Sequence, residues 1–181
     1  MIKPANNDPC FFTQQLFLIG TYDEDGTAHF APISWISYTW GEPSCLVISM
    51  DGKKQTKDNV NRTGKLSATV ATPDMLPFVE SCNESTRNPD EIVAVETEKG
   101  KVVDVPLIAN AKFSYECEIL KTVDIGEVRT YFAEIKNINV REDIQKLEFY
   151  DLREINPVIY SPWNYFTVGE HLGAIGDYST K

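Results

Sequence analysis

Long apolar stretches are missing from this chain of 181 residues. No run approaches the roughly 18 apolar residues that a helix needs to cross a bilayer. The first ten residues also lack the basic start, apolar middle and small-residue cleavage site of a secretory signal. We therefore expect a soluble, cytoplasmic protein with a single domain, because a chain of this length buries most of its apolar surface in one core.

Cysteine and histidine are scarce and scattered. The four cysteines lie 35 to 37 residues apart without a Cys-x-x-Cys pair, and His29 and His171 are the only histidines. This spacing fits neither a zinc nor an iron–sulfur site, so we expect reduced thiols packed as small hydrophobic side chains. The sequence also has no Gly-x-Ser-x-Gly elbow and no nucleophile–base–acid set, which disfavours hydrolase chemistry.

Basic residues are also fewer than acidic residues. The chain has 27 Asp and Glu against 17 Lys and Arg, a formal net charge of -10. Such a charge repels the phosphate backbone of nucleic acid and an anionic membrane surface, so we expect neither as a partner. Where Lys and Arg cluster in so acidic a chain, the cluster indicates a local site for an anion.

The sequence is rich, by contrast, in short segments of strand-forming residues. Residues 15–22 run into Asp25-Gly26, a dipeptide suited to the positive φ of a tight turn, and an alternating segment follows at 27–33. This pattern predicts a hairpin. Four further strands are predicted at 45–50, 66–71, 111–123 and 128–140.

Two short helices are predicted between these strands. One spans 55–62 and ends at Gly64, and the other begins at Thr72-Pro73 and continues to about Ser81. The polar stretch 83–110 is predicted to be a long surface excursion that adds nothing to the core. Hairpin links without regular βαβ alternation predict a mostly antiparallel barrel with added helices.

The segment Ser34-Trp35-Ile36-Ser37 is the first candidate for contact with a ligand. A flat aromatic ring at the end of a strand can cover one face of a planar ligand, while hydroxyls and backbone amides bond its polar edge. Taken alone, Trp35 and Trp40 also fit ordinary aromatic residues of a core or an interface.

The second candidate is the turn after the strand at 45–50. It contains Gly52, Lys53, Lys54 and Thr56 and leads into the start of a helix. Backbone N–H groups at a helix N-terminus, a glycine for close approach, two lysines and a hydroxyl together form a seat for a phosphate. The alternative is a solvated basic helix start, since the segment is neither a P-loop nor a Gly-x-Gly-x-x-Gly turn.

The aromatic residues between Tyr160 and Phe166 are the third candidate. Exposed aromatic residues near a terminus favour cover by a ligand or by another subunit, with ordinary core closure as the alternative. An aromatic wall and a phosphate seat, in a chain without its own acid–base groups, favour a cofactor that supplies the chemistry.

Five segments in order extend this hypothesis to nearly the whole chain. They are Ala31–Ser37, the strand bounded by Pro43, Gly52–Asn59, the strand with Glu116-Cys117, and Tyr165–Gly173. This series resembles the flavin reductase-like, flavoredoxin-type FMN-binding proteins. The resemblance implies a mostly β fold, a six-stranded antiparallel split β-barrel of Greek-key type with a few short helices, and a homodimer with FMN near the subunit interface.

The resemblance also implies which residues bind the cofactor. The flavin ring and ribityl chain would contact Ser34, Trp35, Ile36 and Ser37. The phosphate would be held by Lys53, Lys54, Thr56 and Asn59. His29 would line the cofactor, Phe166 would approach the ring from the tail of the same or the other subunit, and Arg129 would replace a histidine that relatives often carry there.

The leading hypothesis is therefore an FMN-dependent oxidoreductase. Either NAD(P)H reduces the flavin, or bound FMN relays electrons to a redox partner protein. The alternatives are a flavin- or haem-related ligand-binding module without turnover, and a purely structural dimer. The absorbance spectrum of the isolated protein distinguishes them by flavin bands, a Soret band or neither.

Overall fold

The computed structural model describes residues 13–83, 93–146, 151–161, 163–175 and 177–178. Cys10, expected above to be a reduced thiol, and residues 90–92 of the predicted surface excursion lie outside these residues. The strands are β1 Gln14–Gln15, β2 Phe17–Tyr22, β3 Ala28–Ile33, β4 Ile36–Thr39, β5 Cys45–Met50, β6 Lys65–Val70, β7 Thr97–Lys99, β8 Pro106–Ile108, β9 Phe113–Ile125, β10 Val128–Val140, β11 Ile159–Ser161 and β12 Asn164–Phe166. The helices are α1 Gln55–Thr63, α2 Leu76–Cys82, α3 Glu142–Gln145 and α4 Leu152–Ile155.

One antiparallel sheet of seven strands, in the order β3-β2-β6-β9-β10-β5-β4, forms the body of the protein. The predicted hairpin is confirmed as β2 and β3, and the two long predicted strands are confirmed as β9 and β10. The predicted number of six strands was wrong. The additional strand is β4, which pairs with β5 from Ile36 opposite Ile48 to Thr39 opposite Cys45. It is short and half-exposed, so its residues alone carry a weak strand signal.

The sheet is an open barrel whose edges are consecutive in the chain. The edge strands β3 and β4 are joined by the two residues Ser34 and Trp35. Register shifts between β9 and β10, at Phe132/Ala133 and Ile135/Asn137, bend the long hairpin and help the sheet to curl. Helix α1 follows β5 and packs against β2 and β3.

Two apolar clusters hold the fold together. The cluster inside the curled sheet includes Ile19, Leu46, Ile48, Leu66 and Tyr131. The second cluster lies between the outer side of β2 and β3 and helix α2, and its buried members are Leu16, Leu18, Phe30, Ala71, Val79, Ile108 and Val158.

The described cysteines are all free thiols. Cys45 and Cys117 are buried, and Cys82 is half-buried. No helix among the described residues is both long and apolar enough to span a membrane.

The prediction that residues 83–110 add nothing to the core was wrong. Strands β7 and β8 form a hairpin, and Val103, Val105, Leu107 and Ile108 are buried. The loop between these strands is held by Glu116 of β9, whose buried carboxylate accepts hydrogen bonds from three consecutive backbone N–H groups at residues 101–103. A polar stretch therefore enters the core because a distant side chain satisfies its backbone.

The helix boundaries largely follow the predicted signals. Helix α1 ends at Gly64, which has φ +68° and donates its N–H to the carbonyl of Val60 at 2.8 Å. The second helix starts as a 3-10 turn at Pro73–Met75 before α2. Thr72 occupies the predicted N-cap position, but its hydroxyl is buried and has no hydrogen-bond partner among the described residues.

Candidate functional site

The start of α1 leaves several backbone donors without partners inside the helix. Lys54 is the N-cap residue in an extended conformation, and its side chain makes no capping bond. The N–H groups of the first helical turn therefore point out of the helix at the positive end of its dipole. Gly52 has φ +64°, and a Cβ built there would meet nothing within 4 Å. The approach to the helix start is open, which suits an anionic group.

A cleft of about 390 Å³ lies along the free edge of β3. This edge cleft is lined by residues 28–33 and by Lys54, Thr56, Phe78, Ser81, Cys82 and Asn83. It brings together His29, Lys54 and Thr56, three of the predicted site residues. Thr56 is 1% exposed, and its Oγ1 lies 3.1 Å from His29 Nε2.

A second depression, the outer hollow, contains the predicted aromatic residue. It measures about 510 Å³ and is lined by Gln14, Trp35, Ile36, Ser37, Val47, Ser49, Asp51 and Val128. Trp35 is 47% exposed, and its backbone carbonyl accepts a hydrogen bond from the N–H of Ser49 at 3.0 Å. Ser34 is half-buried and separates Ile33, the last β3 residue of the edge cleft, from Trp35.

A third depression of about 470 Å³ contains Lys53 and Arg129. Arg129 is engaged there, because its Nε and an Nη each donate to the Asp124 carboxylate at 2.7 Å, and a further Nη donates to Asn61 Oδ1 at 3.0 Å. The hydrogen bond from Arg129 lowers the pKa of Asp124. Contact of Arg129 with the flavin stays a prediction.

Lys57 ties the same region together. Its Nζ donates to the carbonyl oxygens of Gly52 at 3.0 Å and Glu127 at 2.7 Å. The turn before α1 is thereby connected to the turn between β9 and β10. Residues 51–54 border all three depressions in succession, since Asp51 lines the outer hollow, Gly52 and Lys53 line the third depression, and Lys54 lines the edge cleft.

Asn59 lies inside the protein. It is 1% exposed, and its Nδ2 donates to Thr21 Oγ1 at 3.1 Å and to Asp23 Oδ1 at 2.7 Å. Its Oδ1 accepts from Gln55 and Arg62, each at 3.3 Å. These contacts anchor α1 to the β2–β3 hairpin, which supports a structural role. Direct contact of Asn59 with a phosphate stays a prediction.

Phe166 lies on β12, in a small sheet of three strands ordered β1-β11-β12. It is 55% exposed and lines neither the edge cleft nor the outer hollow of its own chain. Gln14 of β1, in the same small sheet, does line the outer hollow. A role for Phe166 at the flavin of this or another subunit stays a prediction.

Several lining residues were not predicted. Ser81, Cys82 and Asn83, at the end of α2, line the edge cleft, although α2 was predicted only as a helix. Val47 and Ser49 line the outer hollow because they alternate with the buried Leu46, Ile48 and Met50 of β5. The sequence predicted a strand at 45–50 from its apolar run, and this signal did not assign Val47 and Ser49 to a ligand-facing side.

Comparisons with known proteins agree with this architecture. The family model described as flavin reductase like domain matches residues 10–168. Flavoredoxin of Desulfovibrio vulgaris (Miyazaki F) superimposes with a TM-score of 0.87 at 19% identity, covering 98% of this chain and 99% of that chain. Flavoredoxin from Methanosarcina acetivorans gives 0.86 at 19% identity, covering 98% and 97%. An uncharacterized protein of Aquifex aeolicus is 27% identical over 134 residues, 70% of this chain and 68% of the relative.

Proposed function

This chain belongs to the flavin reductase-like domain family, and from that premise we propose that it is an FMN-dependent oxidoreductase. In this proposal NAD(P)H reduces the bound flavin, or the flavin passes electrons to a redox partner protein. Bound FMN would supply the hydride and electron chemistry. The residues of the chain would bind the cofactor, orient it and exclude water from it.

The uncapped start of α1 is the observation that carries the proposal. A phosphate needs hydrogen-bond donors and positive charge, and this position offers backbone N–H groups, the Thr56 hydroxyl and the ammonium groups of Lys53 and Lys54. No ion pair of either lysine is found within the described residues. The residues present therefore fit the phosphorylated end of FMN, with Lys54 and Thr56 holding it in the edge cleft.

The segment Ser34–Ser37 supports the position of the flavin ring. It follows the edge cleft directly along the chain and begins the outer hollow, where Trp35 offers a half-exposed aromatic face. The hydroxyls of Ser34 and Ser37 are available at this link to bond a polar ring edge. Asp51 is the one titratable side chain among the described residues that line the hollow, so the chain contributes orientation there more than acid–base groups.

Exposed apolar side chains support a homodimer. Ile125 is 76% exposed, and Val123 and Trp35 are also exposed on the outer side of the sheet. Large apolar side chains exposed on one side of a sheet are typical of an interface. In our proposal a second copy covers this side and completes the outer hollow, and its tail brings Phe166 toward the flavin.

The phosphate seat is tested by binding of FMN and riboflavin, which differ by the phosphate alone. Protein from which flavin has been removed is titrated with each ligand, and quenching of flavin fluorescence gives the affinities. We expect Lys54→Ala to weaken FMN binding roughly ten- to a hundredfold, the loss for one charged hydrogen bond, and to leave riboflavin binding unchanged. Lys146→Ala is the matched control, because Lys146 pairs with Glu142 on α3 and lines none of the three depressions.

Electron transfer is tested on the yellow complex under anaerobic conditions. Loss of the blue absorption band after addition of NADH or NADPH supports a reductase. If neither nucleotide bleaches the yellow complex, the reductase function is excluded and the electron-carrier function remains. Failure to form any yellow complex with FMN contradicts the proposal as a whole. A Soret band in the isolated protein would show that the bound ligand is haem and not flavin.

The dimer is tested by size-exclusion chromatography with light scattering. We expect twice the mass of the 20.4 kDa chain. Ile125→Asp is expected to shift the protein toward the monomer, because it places a charge in the apolar surface. A monomeric unmodified protein contradicts the homodimer.

A further inference from the structure

We propose that His29 is a positioning residue, which turns the Thr56 hydroxyl toward the ligand and so makes the edge cleft select phosphorylated flavin over riboflavin. This inference rests on the proposed function, since it assumes that the FMN phosphate lies at the start of α1. It goes further by assigning the selection to a pair of residues that are 27 positions apart in the chain.

The contact is defined by the fold. His29 lies opposite Thr21 on the β2–β3 hairpin, and Thr21 accepts a hydrogen bond from Asn59 of α1. This network holds the helix against the hairpin and sets His29 Nε2 at 3.1 Å from Thr56 Oγ1. The bond to His29 is the one hydrogen bond of the Thr56 side chain within the described part of the structure. Thr56 lines the cleft, so no other described hydrogen bond of its hydroxyl competes with a ligand bound there.

Either the His29 imidazole or the Thr56 hydroxyl can be the donor in this hydrogen bond, and the choice decides what the hydroxyl presents to the cleft. A hydroxyl has one proton to donate, and an imidazole nitrogen either donates or accepts. When Nε2 accepts, the Thr56 proton is committed to His29, and the oxygen presents only lone pairs to the cleft. When Nε2 carries the proton and donates, the Thr56 proton is free to bond a ligand. A dianionic phosphate can only accept, so it requires the second arrangement.

The surroundings of the pair favour an anion as that ligand. Lys54 lines the same cleft, and no carboxylate is among its described lining residues, although the chain has 27 Asp and Glu. Burial raises the pKa of Cys82, the other titratable lining group, to about 11, so its thiol is neutral. A neutral ligand gains little from a hydroxyl proton aimed in this way, whereas an anion gains a charge-assisted bond.

A double-mutant cycle tests the inference through the ratio of FMN affinity to riboflavin affinity. We expect His29→Phe to lower this ratio about tenfold, and Thr56→Val, which keeps the side-chain shape, to lower it by a similar factor. The double variant should be no worse than Thr56→Val alone, because His29 acts through the hydroxyl. Equal losses from His29→Phe in both backgrounds, or equal losses for FMN and riboflavin, would overturn the inference.

Nuclear magnetic resonance of the imidazole nitrogens gives a second test that does not depend on a His29 variant. The chain has only two histidines, so a His171→Gln protein with labelled imidazole nitrogens reports on His29 alone. In the FMN-saturated protein we expect a protonated Nε2. An unprotonated Nε2 in that complex overturns the inference.

The two proposals fail in different ways. If the unmodified protein shows no FMN binding, the proposed function fails and the role of His29 fails with it. If the unmodified protein binds FMN more tightly than riboflavin but His29→Phe leaves the ratio unchanged, the proposed function stands and only the inference about His29 is overturned.

Discussion

Replacing Glu116 with glutamine should destabilise the protein strongly, although it changes only one oxygen to an NH2 group. The Glu116 side chain is fully buried. Its Oε2 accepts from the N–H groups of Val102 at 2.8 Å and Val103 at 2.7 Å. Its Oε1 accepts from Lys101 N–H at 3.1 Å and from the amide groups of two asparagines of β10, each at 2.8 Å. Every neighbour is a donor, so an NH2 group must face at least one of them.

The pKa of the carboxyl gives the magnitude. Burial alone would raise the pKa of Glu116, but hydrogen bonds from Asn139, Val103, Asn137 and Val102 outweigh burial and lower it from 4.5 to about 2. At about 1.4 kcal/mol for each pKa unit, this lowering corresponds to about 3 kcal/mol of stability at neutral pH. Glutamine keeps one oxygen that still accepts part of these hydrogen bonds, so the expected loss for Glu116→Gln is smaller, about 2 kcal/mol.

The same pKa sets the pH dependence. The folded state lowers the pKa below its unfolded value, so the stabilisation is fully present above about pH 4.5 and is lost as the pH falls toward 2. The difference in unfolding free energy between the unmodified protein and Glu116→Gln should therefore shrink over that interval. Glu116→Ala should cost more than glutamine at neutral pH, because it leaves all the donors without an acceptor.

Urea unfolding at neutral and acid pH, followed by tryptophan fluorescence, measures these differences. The matched control is Glu118→Gln on the same strand, whose side chain is 47% exposed and lies 3.9 Å from Lys136. It should cost less than about 0.5 kcal/mol. Equal stability of the unmodified protein and Glu116→Gln at neutral pH would refute the reasoning, as would a difference that persists unchanged in acid.

Three further predictions concern packing and reactivity. Gly20→Ala should lower the unfolding free energy by about 2 to 4 kcal/mol in urea, because a Cβ there would lie 2.7 Å from a backbone carbonyl oxygen of β8. Asn59→Asp should destabilise the protein at neutral pH and recover in acid, because it would place a carboxylate beside Asp23 Oδ1, now 2.7 Å from the amide; melting curves against pH show this. In a Cys10→Ser background, Cys82 of the folded protein should react slowly with a thiol reagent at neutral pH, because its pKa is raised to about 11. The reaction should be slower still when FMN is bound, because Cys82 lines the edge cleft.

Local signals in the sequence were sufficient for many of the elements. The turn at Asp25-Gly26 and the alternation after it predicted β2 and β3, and Gly64 predicted the end of α1. These features depend on residues that are close in the chain, such as a glycine that adopts positive φ at low cost. They are therefore readable without knowledge of the fold.

The burial of Val103 and of residues 105–108 could not be predicted in the same way. Its cause is the carboxylate of Glu116, which lies on another strand and satisfies the backbone of the loop. The strand β4 escaped prediction for a related reason, because its half-exposed residues form a strand only where β5 offers them a partner. Hydrogen bonding across long sequence separations decides both features.

The candidate site likewise has features that the sequence predicts and features that depend on the tertiary structure. The residue types of a phosphate seat, Lys53, Lys54 and Thr56 beside a helix start, were determined by the sequence alone, because a helix terminus and its charges are local. Only the tertiary structure decided that His29 meets Thr56, that Asn59 is buried behind them and that Trp35 faces a separate hollow. The curl of the sheet brings the edge strand β3 to helix α1, and no periodicity along the chain encodes that curl.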